Sequence, residues 1–78
     1  MLSYLIRLDK AGSPVDFINV MDKIPGNVTI IDGQRQTNAK SLLGVMNTRR
    51  NVPVNLTFEC AEEELQEAMP LIEKCKIV

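Results

Sequence analysis

An α+β domain is what this sequence predicts: a four-stranded, mostly antiparallel sheet with helices on one face, in the order βαββαβα. Three observations carry that reading. Two segments alternate apolar and polar residues with period two, two others carry apolar residues at helical spacing, and glycine, proline and Asp-Gly signals fall between them. The 78 residues leave room for one domain, residues 1–78, around a single small core. A chain of that size buries only about 60% of its unfolded surface, so modest stability is expected.

The first strand is expected over Leu2 to Asp9, with Leu2, Tyr4, Ile6 and Leu8 on one face and Ser3, Arg7 and Asp9 opposite. Lys10-Ala11-Gly12 interrupts it. Ser13-Pro14 then reads as a helix start: serine as N-cap, proline at the first helical position, Asp16 three residues after the cap. Phe17, Val20, Met21 and Ile24, with Ile18 beside them, form the buried stripe of that helix until Pro25-Gly26 ends it. Val28-Thr29-Ile30-Ile31 is short and β-branched, a second strand. Asp32-Gly33 predicts a two-residue hairpin whose central positions take positive φ, and Gln34 to Thr37 is the returning strand.

A short helix is expected from about Asn38 to Asn47. Ser41 falls in its first turn with Lys40 beside it, and Leu42 and Met46 lie four apart on one side. Thr48 to Asn51 is loop. Val54, Leu56, Phe58 and Cys60 alternate in a fourth strand from Val52 to Cys60, and Pro53 suits only its start or an edge. Ala61-Glu62-Glu63-Glu64 opens the last helix with carboxylates where the helix dipole favours them. Leu65, Ala68, Met69, Ile72 and Cys75 continue its stripe, and Pro70 within that stripe predicts a kink or an early break.

Composition excludes several function classes. Apolar content of 45% is ordinary for a globular domain, and a net charge of −1 implies no field-driven affinity for nucleic acid or an anionic membrane. Arg49-Arg50 reads as part of a solvated loop. No apolar run approaches a membrane span, and the apolar stretch at Met1 to Arg7 is too short for a signal peptide, which points to the cytoplasm. Cys60 and Cys75 lack metal-ligand spacing and read as reduced and partly buried. Glu62, Glu63, Glu64 and Glu67 form a solvated helix face; no zinc spacing, phosphate loop or triad accompanies them.

Asn38-Ala39-Lys40-Ser41-Leu42-Leu43-Gly44-Val45-Met46 resembles the regulatory-serine segment of HPr, the small phosphocarrier of the bacterial phosphoenolpyruvate:sugar phosphotransferase system. The match over these residues is nearly continuous. The preceding hairpin and the element order extend it more thinly across the chain, and together they imply an HPr-like open-faced sandwich. In HPr a histidine caps the first helix, carries the phosphoryl group and is followed closely by an arginine. This chain has no histidine, so it cannot run a relay that needs a nitrogen nucleophile with a pKa near neutrality. Ser13 stands at that degenerate active-site position, without the arginine and with Asp16 adding negative charge. An ordinary N-cap contributing about 1 kcal/mol is a better reading of Ser13 than a substitute phosphoryl acceptor.

The resemblance further implies regulatory phosphorylation at Ser41. The catabolite-repression HPr-like branch of the family keeps this serine while lacking the histidine. Implied partners are an HPr kinase/phosphorylase and a transcriptional regulator, docking along Lys40, Leu42 and Met46. Phosphate would add about −1.5 to −2 charges at a helix N-terminus, where free amides stabilise an anion. The competing reading is a solvated serine beside residues that cover the core, with Leu43 and Val45 claimed by it. The expectation is therefore a regulatory docking module rather than an enzyme, with no cofactor. A phosphotransfer protein using Ser13, or a domain that shares only the fold, are the alternatives.

Overall fold

The period-two segments become strands whose alternate residues face a single core. In the computed structural model, which describes residues 1–77, the elements are β1 (Leu2–Ile6), α1 (Pro14–Met21), β2 (Val28–Asp32), β3 (Arg35–Asn38), α2 (Leu42–Met46), β4 (Val54–Phe58) and α3 (Met69–Cys75). Short 3₁₀ turns occupy Leu8–Lys10 and Glu62–Leu65. The strands form one antiparallel sheet in the order β1-β4-β2-β3, so the domain is α+β.

Register decides which residues share a face. Ile6 pairs with Val54, Tyr4 with Leu56 and Leu2 with Phe58; on the other side of β4, Leu56 meets Ile30 and Phe58 meets Val28. These residues line the face that packs against Phe17 and Met21 of α1, Val45 of α2, and Ile72 and Cys75 of α3. Phe58 is fully buried and meets the ring of Tyr4 edge-on, with centroids 6.1 Å apart. Burying a side chain of that size contributes about 1.5–3 kcal/mol. The opposite face, with Ser3, Leu5, Asn55 and Gln36, lies outside this core. The outer edge of β1 is closed near its end: Ile77 donates its backbone N–H to Leu5 O at 2.7 Å, and Arg7 donates its own to Cys75 O at 3.0 Å.

Several boundaries differ from the sequence expectation, each for a local reason. β1 stops at Ile6 rather than Asp9, because the chain turns at Leu8 and buries that side chain within the 3₁₀ segment. The hairpin turn is Gly33-Gln34 rather than Asp32-Gly33. Asp32 stays in β2 paired with Arg35, and of the two turn residues only Gly33 takes positive φ, at 64°. That glycine-first pattern is the one a II′ turn uses. The final helix is two pieces. The acidic segment makes a 3₁₀ turn, and α3 begins at Met69 with Pro70 in its first turn. Proline lacks an N–H, and the first turn is where none is required, so the break falls before Pro70.

Candidate docking site

The turn between β3 and α2 is built from backbone and one asparagine. Ala39 N–H donates to Val28 O at 2.8 Å, which buries Ala39, and Asn38 Oδ1 accepts from Lys40 N–H at 2.9 Å. The chain remains extended through Ser41 (φ −97°, ψ 119°), whose Oγ accepts from Gly44 N–H at 3.2 Å. Ser41 is therefore the N-cap of α2, not a residue within its first turn. The helix spans Leu42–Met46, shorter than the Asn38 to Asn47 expected, because Asn38 is held in the sheet opposite Thr29. Thr48 closes the other end, its hydroxyl donating to Gly44 O at 2.8 Å.

Val45 is the buried residue of α2. Leu42, Leu43 and Met46 are 37%, 70% and 60% exposed. The expectation that the core claims Leu43 is corrected: a helix turns about 100° per residue, so Leu43, two before Val45, points nearly opposite it. Leu42 and Met46 fall to the sides of Val45. Gly44 brings the helix down onto β3; a Cβ there would sit 2.6 Å from Thr37 Cγ2.

Lys40 does not project from this edge as a free cation. Its ammonium donates to Ile24 O at 2.6 Å and Gly26 O at 2.9 Å, closing the turn that follows α1. The two arginines read as solvated loop are also engaged. Arg49 grips Asp32 with Nε to Oδ2 at 2.9 Å and Nη2 to Oδ1 at 2.6 Å, tying the chain after α2 to the hairpin. The hydrogen bond from Arg49 holds the Asp32 carboxyl below its ordinary pKa, with the charges of Arg49 and Arg35 adding to it and burial opposing. Arg50 donates to Gly12 O at 3.0 Å. Its signal in the sequence was only a basic doublet, since the contact joins residues far apart in the chain.

Ser13 is exposed and caps α1, its Oγ accepting from Asp16 N–H at 3.1 Å. The structure thus places Ser13 and Ser41 as caps of two neighbouring helices. Glu62, Glu63 and Glu64 are exposed, and Glu64 Oε1 accepts from Ala61 N–H at 2.9 Å. Among the described residues, no group of acidic or sulfur side chains is arranged to hold a metal, and no helix is long and apolar enough to cross a membrane. A shallow hollow lies between Asn27, Thr29, Gln36, Asn38 and Glu59, open to solvent and lined mainly by polar side chains.

The chain matches no family model, no curated protein and no solved structure.

Proposed function

We propose that this chain is an HPr-like regulatory module of the cytoplasm that docks protein partners through α2 and carries no phosphohistidine chemistry. The observation that carries the reading is the exposure of Leu42, Leu43 and Met46 on a helix that buries Val45. Contiguous exposed leucine and methionine are a common signature of partner surfaces. The order β1, α1, β2, β3, α2, β4, α3 and the single covered sheet face fit the sandwich that the resemblance implies.

Ser41 is the regulatory position in this proposal. A phosphate on its Oγ would stand beside the backbone amides at the start of α2, adjoining the apolar patch. It would add charge at the edge of a surface otherwise built from apolar side chains. Lys40 serves the proposal as a brace for this edge rather than as a contact, because its ammonium is held by two carbonyls.

The deciding experiment incubates the chain with an HPr serine kinase and ATP, beside an HPr control, and reads the mass. Phosphate on Ser41 supports the switch; an unmodified chain beside a labelled control removes it. Docking is read separately, by binding to a serine-phosphate-dependent regulator before and after Leu43→Ser and Met46→Ser. The Ser13 alternative predicts labelling by phosphoenolpyruvate and the general phosphotransferase enzyme, and an unlabelled chain ends it.

A further inference from the structure

We propose that the Asp32–Gly33 bond is a latent site of isoaspartate formation, kept dormant by the grip of Arg49 on both oxygens of the Asp32 carboxyl group. The reaction needs no reagent but water. The Gly33 amide nitrogen attacks Cγ of Asp32, and the carboxyl hydroxyl leaves as water with the amide proton, closing a five-membered succinimide. Water then adds to one ring carbonyl. Opening at the former backbone carbonyl leaves the chain running through Cγ, an isoaspartyl link of unchanged composition.

Two features favour the attack. Gly33 has no side chain to shield its amide, and a Cβ placed on it would meet nothing within 4 Å. It also opens the Gly33-Gln34 turn, with φ of 64°, at the exposed tip of the hairpin. One feature opposes it. Cγ must rotate toward the amide with the carboxyl as the neutral acid, whereas Arg49 binds Oδ2 at 2.9 Å and Oδ1 at 2.6 Å, fixing the rotamer and the charged form. Ion pairing that favours the carboxylate acts in the same direction.

The consequence would reach α2. An isoaspartyl link adds one backbone atom where Asp32 faces Arg35, disturbing a register that continues through Ile31 with Gln36 and Ile30 with Thr37. Thr37 is the residue against which Gly44 of α2 packs. Neither the reaction nor the Arg49 grip depends on whether α2 docks a partner.

The test ages the purified chain in warm neutral buffer and quantifies isoaspartate at position 32 by peptide mapping with electron-transfer fragmentation. A synthetic peptide spanning Thr29 to Gln36 gives the unprotected rate. The native chain should react many-fold more slowly than the peptide, and Arg49→Gln several-fold faster than the native chain while keeping its native circular dichroism. Arg49→Lys, which retains the charge and loses the two-point grip, should fall between them and serves if Arg49→Gln does not fold. Folded variants that age at the native rate would overturn the role of Arg49. A native chain that ages as fast as the peptide would overturn the dormancy itself.

Discussion

Lys40 Nζ lies 2.6 Å from the carbonyl oxygen of Ile24, so the residue just before the cap of α2 closes the end of the turn that follows α1. A second bond to Gly26 O completes the brace. Two elements that meet on the core are thereby also joined through one cation.

That brace predicts a stability effect for a residue that the resemblance implied to be a docking contact. Lys40→Met keeps the aliphatic stem and removes both charge-assisted bonds, and should lower stability by about 1–2 kcal/mol in urea unfolding. A purely surface role would leave the midpoint unmoved.

Gly44→Ala should destabilise the chain although alanine is the better helix former by about 0.5–1 kcal/mol. The added Cβ would lie 2.6 Å from Thr37 Cγ2, and a β-branched side chain has little freedom to yield. Overpacking of this kind costs about 1–3 kcal/mol, so the clash outweighs propensity. Thr37→Ser removes the offending methyl. The double variant should recover most of the loss, which a thermal-melt cycle of the two substitutions would measure.

The two caps should behave alike in stability. Ser13→Ala and Ser41→Ala each remove an acceptor for a backbone N–H at a helix start, at a cost of about 0.5–2 kcal/mol. Ser41→Asp should retain the cap. A Ser41→Asp chain as unstable as Ser41→Ala would show that the hydroxyl geometry, rather than an acceptor, is what the helix start requires.

Burial pushes the thiols of both Cys75 and Cys60 above the ordinary value, with the charge of Glu64 adding at Cys60. The folded chain therefore holds these protons at a pH where the unfolded chain has released them. Stability is unaffected well below the unfolded thiol pKa of about 8.5 and falls as pH rises through it. Substituting alanine at both positions should flatten that alkaline loss in urea midpoints taken across the range. Alkylation at neutral pH should be slow, with partly buried Cys60 reacting before fully buried Cys75.

Periodicity and capping chemistry made most of the architecture readable in the sequence alone. The alternation of Val54, Leu56 and Phe58, the Ser13-Pro14 helix start and the hairpin between β2 and β3 depend on neighbours in the chain, whose geometry is local. That these 78 residues contain no histidine is likewise read directly from the sequence. What tertiary structure decided were the contacts that join distant residues. Lys40 on Ile24, Arg49 on Asp32 and Arg50 on Gly12 pair groups from 16 to 38 positions apart, and nothing in a local pattern ranks one such partner above another. The fate of Leu43 was decided the same way. Once the sheet held Asn38 and Ser41 became the cap, α2 began at Leu42; its rotation then followed from seating Val45 in the core, and Leu43 was turned toward solvent.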